Sequence, residues 1–526
     1  MQPGAAHSSS IALMTADVPA RRRRERRPPR STGPSLTPLP RLENPWPPLE
    51  VLTTEQVERI LLAAFRVLEE AGLEIRSAAA CEIYAKAGAL VDADSNTVRL
   101  GRDIVEAQLA RVPGQFVLHA RNQARHLHVG GNVVNFGPVT GAPNIRDQEG
   151  GRRYGNLEAF RNILKLTHTL GVLHWQGGIV VEPVDSPVAT RHLLMYQAHI
   201  ECADTVWAAR GIGGVQASDA IAMSAIEHGC GIDDLAARPT LMTVTNVNSP
   251  RRVDEEILDN ILTMARHGQC IVITPFTLMG AMAPVTLAGA LVQQTAEALG
   301  VVTLCQLVRP GTPCVLGGFT SNVDMRTGSP AFGTPEYVHA VLASAQVGRR
   351  LRLPVRTSAV NASPTVDAQS TYETGFSLQA AILSHSHLIN HAAGWLEGGL
   401  SASLEKIIVD AELLRHWAEI LKSVSFSDDD LAVEAIKGTP AGGHFFGAAH
   451  TLARYESAFY RPLLSDWSSF ENWRDAGART ATDRATGLWK KLLGEYVAPP
   501  LDPAVKEAIA DYVARRTREI ESGSAM

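Results

Sequence analysis

The stretch LINHAAGWLEGGLSASLE, residues 388–405, holds the densest group of residue types that could do chemistry. An apolar run leads into an aromatic ring at Trp395 and a carboxylate at Glu397, both set among glycines that permit sharp backbone turns. Ser401 or Ser403 then offers a cap for a following helix. The pattern predicts a buried strand, a loop that carries a site at the end of that strand, and a helix.

Units of this kind recur along the chain. Eight apolar runs that do not alternate with polar residues predict buried strands at 133–136, 178–181, 205–209, 241–246, 271–275, 314–319, 355–360 and 388–393. Amphipathic or alanine-rich stretches predict helices near 157–169, 187–200, 215–227, 252–267, 285–298, 334–350, 369–385 and 403–420. Eight such alternations predict an α/β fold, a (β/α)8 TIM barrel whose first and last strands pair. An open doubly wound sheet is the alternative, but GPVTGAP after the first strand lacks its phosphate-loop spacing.

The barrel would occupy residues 131–420 of the 526, which leaves three further segments. Residues 1–44 contain RRRRERRPPR and many prolines, so we expect a disordered basic tail, with a docking arm for an acidic partner as the alternative. Residues 45–130 show three stretches at helical spacing and predict an N-terminal helical region. Residues 421–526 predict a C-terminal helical segment that packs on the barrel or on a second subunit.

Charge, hydropathy and cysteine usage narrow the classes of protein. The net charge of −5, from 49 basic and 54 acidic residues, gives no field that would attract nucleic acid. We find no uninterrupted apolar run of about 20 residues, so we expect no membrane span. No apolar segment follows the arginine run, so we do not expect export. Six cysteines without a C-x-x-C motif predict reduced core thiols and a cytoplasmic protein.

Functional side chains of a barrel gather at the carboxyl ends of its strands. Two carboxylates there, Glu182 and Glu397, would also suit glycoside hydrolysis, which is an alternative enzyme class. The residues at the predicted strand ends include only one histidine, His391, and no H-x-H or H-E-x-x-H motif, so we expect no metal site there. The other strand ends contribute Phe136, Thr140, Arg210, Asn246, Asn248, Phe276, Phe319, Ser321, Asn322, Asp324, Asn361, His391 and Trp395.

Longer stretches carry a resemblance to a known family. They are VEPVD (181–185), NVNSP (246–250), ITPFTLMGAMAPVTLAGAL (273–291), QLVRPGTPCVLGGFTSNVDMRTGSPAFGTPE (306–336), DAQSTYE (367–373), HAAGWLEGGLSASLEK (391–406), GGHFFGAAHT (442–451) and FYRPLLSDW (459–467). Over roughly residues 48–515 the chain resembles the trimethylamine methyltransferase family, the corrinoid-dependent methylamine methyltransferases. The resemblance implies a (β/α)8 barrel.

The resemblance also implies an activity, the transfer of a methyl group from a methylated amine to the Co(I) of a separate corrinoid protein. It implies no tightly bound cofactor in the chain itself, and we expect a homo-oligomer. The founding members carry pyrrolysine near the end of the seventh strand, whereas TSAVNASPTVDAQ (357–369) holds only ordinary residues. The chain is therefore similar to the non-pyrrolysine branch, the glycine betaine and other quaternary amine methyltransferases. Trimethylamine or another methylated amine as substrate, and a binding barrel without transfer, are the alternatives.

A trimethylammonium group donates no hydrogen bond, so aromatic faces and nearby carboxylates should hold it. We predict an acidic, aromatic pocket with catalytic roles for Glu397, His391 and Glu182. For substrate binding we predict Trp395, Phe276, Phe319, Tyr372, Asn246 and Arg309, with Arg210 or Arg326 as alternative partners of a betaine carboxylate. For docking of the corrinoid protein we predict His444, Phe445 and His450. Core packing is the alternative role for each aromatic residue and for His391.

Overall fold

The computed structural model describes residue 36 and residues 38–523, and it confirms the predicted barrel. Its eight parallel strands are β1 (Val133–Pro138), β2 (Trp175–Gln176), β3 (Val206–Ala209), β4 (Leu241–Val247), β5 (Cys270–Pro275), β6 (Cys314–Gly317), β7 (Val355–Ser358) and β8 (Leu388–Ala393). As predicted, β8 pairs in parallel with β1, with Leu388 opposite Asn135. The His174 amide donates to the Phe136 carbonyl at 2.8 Å, which joins β1 to the start of β2 and closes the barrel.

Each barrel strand precedes a helix that packs on the outside. These helices are α1 (Leu157–Leu170), α2 (Arg191–Cys202), α3 (Gly214–His228), α4 (Glu255–Arg266), α5 (Leu287–Val308), α6 (Pro335–Arg350), α7 (Ala368–Leu383) and α8 (Leu404–Ile420). Ser403 caps α8 by accepting from the Lys406 amide at 3.2 Å, which decides between the two predicted caps. Helix α5 is much longer than predicted. By length and composition alone it is apolar enough to cross a membrane, yet 72% of its apolar window is buried in the fold.

The second strand was predicted at 178–181, and this position is wrong. The strand is the dipeptide Trp175–Gln176, and the apolar residues after it form a buried loop over the barrel end. This loop bonds to the segment after β1, where the Gly141 amide donates to Ile179 O at 2.6 Å and the Glu182 amide to Ala142 O at 2.8 Å. An apolar run therefore marked a buried loop, because tertiary contacts can bury a loop as completely as a strand.

Two small sheets cover the carboxyl ends of the barrel strands. In the first, Trp395–Leu396 pairs antiparallel with Ser401–Ser403, which pairs in parallel with Asn144–Asp147 of a hairpin completed by Gly151–Tyr154. The second contains Leu278–Met279, Ser321–Val323 and Pro330–Ala331. The loop predicted after β8 is thus a β-hairpin whose turn, Glu397–Gly399, has positive φ at all three residues. This pairing fixes Trp395 relative to the strand that delivers it.

The N-terminal region is mixed rather than only helical. Its helices are Thr54–Arg66, continued by a π-helical turn at Val67–Ala71, then Ala78–Lys86 and Arg102–Leu109. Strands Leu73–Ile75, Leu90–Asp92 and Thr97–Arg99 form a sheet with Arg252–Val253 of the barrel domain, and Phe116–Leu118 pairs with Leu127–Val129. The region packs closely on α5, where the Tyr84 hydroxyl donates to Gly300 O at 2.9 Å.

The structure differs from the predicted boundary of the basic tail at residue 44. Strand Leu42–Glu43 pairs antiparallel with the start of β1, and Leu42 is buried. The Asn44 amide donates to Ile382 O at 2.8 Å. Residues 38–44 therefore pack on the barrel domain, while the tail prediction for residues 1–35 and 37 lies outside the described residues.

The C-terminal segment contains two kinds of structure. Helices Ala481–Gly494 and Pro503–Glu521 bury Ala485, Leu492, Ile509 and Val513 in the barrel cores. Before them lie short helices at Asp428–Leu431, Val433–Lys437, Ala449–Arg454 and Phe470–Asp475, which bury nothing. We call residues 422–459 the arm, because the chain leaves the barrel domain after α8 and returns to it at Tyr460.

Candidate active site

A cavity of about 410 Å³ lies at the carboxyl ends of the strands, where the loops of a barrel build its sites. Glycines form much of its floor and rim and leave the interior open. At Gly137, which has no side chain, an added Cβ would lie 2.1 Å from the Trp175 ring, so only glycine allows this tryptophan to line the cavity. Ile212 and Leu400 also line the cavity and are 36% and 50% exposed, which places its mouth between them.

Aromatic rings form one wall of the cavity. The Phe276 and Phe319 rings stack with centroids 5.3 Å apart, and Phe332 supports Phe319 from behind at 5.6 Å. On the adjoining side the His391 and Trp395 rings lie 4.0 Å apart. Phe276, Phe319 and Trp395 all line the cavity, as predicted for the substrate-binding aromatic residues. Their faces offer the negative potential that attracts a fixed cation.

Arg356 on β7 is the charged group deepest in this wall. Its side chain is only 2% exposed, and its guanidinium carbon lies 5.1 Å from the centre of the Phe319 ring. Neither Nε nor Nη1 has a hydrogen-bond partner. Burial lowers the pKa of Arg356 to about 10, since no carboxylate compensates its charge. A buried, unpaired guanidinium that lines a cavity is arranged to receive an anion.

His391 lies beside Arg356 in a strained backbone. A register shift interrupts the pairing of β8 with β1 between Ile389 and Ala393, and His391 within it has a φ of 57°. Its Nδ1 lies 3.0 Å from Ser358 Oγ. Burial, reinforced by the Arg356 charge, holds the pKa of His391 well below its ordinary value. The imidazole is therefore neutral at physiological pH, and strain of this kind is characteristic of functional sites.

Reciprocal hydrogen bonds fix Trp395. Its indole Nε1 donates to Asn361 O at 3.1 Å, and Asn361 Nδ2 donates to Trp395 O at 2.6 Å. Thr374 Oγ1 accepts from the same Asn361 amide and from the buried ammonium of Lys406. The ring orientation is thus set by contacts from the segment after β7, from α7 and from α8 together.

The two predicted carboxylates do not line the cavity. Glu397 Oε2 accepts from Arg152 Nε at 2.9 Å and from Ser401 Oγ at 2.6 Å. Glu182 Oε1 accepts from Arg191 Nη1 at 2.5 Å and lies 3.4 Å from Arg210 Nη1. No aspartate or glutamate is among the residues that line the cavity, whereas Arg210 and Arg356 both are. The predicted acidic pocket is therefore aromatic and cationic.

The remaining predicted residues divide by location. Asn246 lines the cavity. Tyr372 is on α7, 54% exposed, and outside it. Arg309 lies at the opposite, amino-terminal end of the strands, in a cleft with Gly268 and Pro313. His444, Phe445 and His450 belong to the arm.

Sequence reasoning missed Arg356, because it stands inside the apolar run at 355–360 that predicted a buried strand. The only signal was a lone arginine within that run. Elsewhere in the chain, within the described residues, no group of three or more histidine, cysteine or acidic side chains could hold a metal ion.

Comparison with known proteins decides the family. The family model described as trimethylamine methyltransferase (MTTB) matches residues 20–521. The chain belongs to the trimethylamine methyltransferase family. Glycine betaine methyltransferase of Desulfitobacterium hafniense (strain Y51) is 34% identical over 475 residues, covering 90% of this chain and 98% of that protein. Within the same family, proline betaine:corrinoid methyltransferase of Eubacterium limosum is 26% identical, covering 88% and 96%.

The fold is also seen in a solved structure. The monomethylamine methyltransferase MtmB of Methanosarcina barkeri superposes with a TM-score of 0.51 at 10% identity, over 86% of this chain and 90% of that one. At this identity the likeness establishes the fold alone. The family membership of this chain rests on the sequence matches.

Proposed function

We propose that this protein transfers a methyl group from a betaine, a quaternary amine that also carries a carboxylate, to the cobalt of a partner corrinoid protein. Membership of the trimethylamine methyltransferase family supports the reaction class. Two of its relatives are named as methyltransferases of glycine betaine and of proline betaine, which supports the substrate class.

The observation that carries the proposal is the unpaired guanidinium of Arg356 beside the Phe276 and Phe319 rings. A betaine has a carboxylate and a fixed positive charge only a few bonds apart. The carboxylate would pair with the Arg356 guanidinium, and the trimethylammonium group would lie against the aromatic faces. A purely cationic amine would instead meet two guanidinium groups and no carboxylate in the cavity.

The neutral His391 suits the carboxylate end of this arrangement. If Ser358 Oγ donates to Nδ1, the proton of the imidazole resides on Nε2, which can then donate a hydrogen bond. Because the pKa of His391 is held low, this donor carries no charge that would repel the ammonium end of the substrate.

In this methyl transfer the main task of the protein is to orient the substrate toward the corrinoid. The corrinoid of the partner supplies a Co(I) nucleophile, whose electron pair forms the new bond to the methyl carbon. The C–N bond breaks with its electron pair left on nitrogen, so the quaternary amine leaves as a neutral tertiary amine and no proton is transferred. The side chains of the cavity hold the substrate by both ends and keep water from the methyl group.

The absence of a carboxylate near the ammonium end also favours turnover. The positive charge on nitrogen decreases as the C–N bond breaks. An anionic contact would therefore stabilise the substrate more than the transition state. Aromatic faces bind the cation more weakly than a carboxylate would and lose less when it is neutralised. The corrinoid would approach through the mouth between Ile212 and Leu400.

Anaerobic methyl transfer to reduced cobalamin, followed by absorbance, tests the proposal with a panel of substrates. Glycine betaine and proline betaine should both be demethylated, whereas choline and trimethylamine, which lack the carboxylate, should not. Equal rates with choline would contradict the assignment of the substrate class. Tight binding of betaines with no transfer to free cobalamin or to any corrinoid protein would contradict catalysis and favour a binding protein.

A further inference from the structure

The arm, residues 422–459, has no core of its own. None of its residues is buried, although it contains three short helices. Helices of four to six residues are unstable in water without tertiary packing. A segment that folds while burying nothing requires a surface outside its own chain, because ordering its backbone costs entropy that no apolar burial offsets.

The side chains of the arm are those of an interface. Ten large apolar residues are between 45% and 82% exposed: Val424, Phe426, Leu431, Val433, Ile436, Phe445, Phe446, Leu452, Tyr455 and Phe459. Five are aromatic, and at about 150–250 Å² per ring they offer on the order of 600 Å² before the aliphatic side chains are added. A stable interface buries roughly 800 Å² on each partner, so the arm supplies enough for one.

Both ends of the arm are fixed to the barrel domain. The arm begins after α8 and ends where Glu412 on α8 accepts five hydrogen bonds from the returning chain. Tyr460 donates its hydroxyl at 3.0 Å, the Leu463 and Leu464 amides donate at 2.7 and 3.1 Å, and Ser465 donates its amide and hydroxyl at 3.3 and 2.7 Å. The arm is thus an insertion held to the barrel domain at both ends, rather than a free terminal segment.

We propose that the arm binds a second copy of this chain and forms a permanent dimer interface. A corrinoid protein has to release its methyl group to a later acceptor after each turnover, so its contacts are transient. Obligate interfaces between copies are larger and more apolar than transient ones. The surface of the arm is strongly apolar, and its short helices are unstable while they are exposed. It therefore suits a partner that stays bound from the time the chain folds.

The arm has a groove that could accept the apolar side chains of a second arm. An open groove of about 1080 Å³ lies between the two halves of the arm, with Leu431, Val433 and Ala448 in its walls. In a two-fold interface the same patch meets itself, so apolar side chains of one arm can enter the groove of the other. The proposal does not depend on the substrate of the enzyme.

Sedimentation velocity of the purified chain tests the proposal with three proteins. The wild type should sediment as a dimer or a higher assembly of dimers, and the double variant Phe446→Glu/Phe459→Glu should dissociate toward the mass of a single chain. Val497→Glu is the matched control, because Val497 is 81% exposed and lies outside the arm. A wild type that is monomeric at every concentration, or a double variant with unchanged mass, would overturn the proposal.

A second measurement does not rely on a destabilising variant. A photoreactive benzoylphenylalanine in place of Phe446 should, in the purified protein alone, yield a covalent dimer of two arms. The same substitution at Val497 should yield none. Cross-linking that occurs only after a corrinoid protein is added would overturn the self-association and assign the arm to that partner.

Discussion

Replacement of Arg356 by methionine should have opposite effects on folding and on binding. Burial lowers the pKa of Arg356 to about 10, and at 1.36 kcal/mol per pKa unit this shift corresponds to an unfavourable free energy of roughly 3 kcal/mol for burying the charge. Methionine removes this penalty and keeps an unbranched apolar stem, so the free energy of unfolding should stay equal or rise by about 1–3 kcal/mol. Loss of the charged partner of a bound carboxylate should cost about 2–5 kcal/mol of substrate binding.

Isothermal titration of wild-type and Arg356→Met proteins with glycine betaine and with choline separates these effects. The dissociation constant for glycine betaine should rise at least about 30-fold, the equivalent of 2 kcal/mol. That for choline should fall, because the variant no longer presents a buried positive charge to a cation. Denaturant unfolding supplies the stability. A variant that loses several kcal/mol of stability yet binds glycine betaine like wild type would refute this reasoning and make Arg356 a structural residue.

Three further changes have defined expected outcomes. Glu397→Gln should change KM for the betaine less than threefold in steady-state assays, because Arg152 and Ser401 already hold this carboxylate away from the cavity; a tenfold rise would mean that it acts on the substrate. Trp395→Ala should raise KM roughly tenfold through lost cation-π contact and packing, with Trp395→Phe intermediate; wild-type kinetics for both would exclude the ring from the site. Burial lowers the pKa of His199 from 6.5 to about 4, so the unfolded state binds the extra proton and stability falls as the pH drops from 6.5 toward 4. This residue should account for about 2 kcal/mol of the loss at pH 5, which His199→Phe should abolish in urea titrations.

The architecture could be predicted because the barrel repeats one local pattern eight times. Most of the strands are largely apolar because both their faces are buried, and each helix shows its own periodicity. The pattern fails where burial has another origin. The apolar loop after Gly177 was assigned as a strand, and the true strand, Trp175–Gln176, is too short and too polar to be distinguished in sequence.

The candidate site could be predicted in part. The strand-end rule nominated Phe276, Phe319 and Trp395, and all three line the cavity, because the carboxyl ends of barrel strands converge there. The charges could not be assigned, because a carboxylate is neutralised by whichever arginine the fold brings to it. Arg152 donates a hydrogen bond to the Glu397 carboxylate although it lies 245 residues earlier in the chain. No rule of sequence spacing predicts such a contact.

A crystal structure of the protein with glycine betaine bound tests the central claim most directly. The account predicts the carboxylate within hydrogen-bond distance of the Arg356 guanidinium, and the trimethylammonium group against the Phe276 and Phe319 rings with one methyl directed to the mouth at Ile212 and Leu400. A betaine bound in the reverse orientation, or one bound away from this cavity, would contradict it.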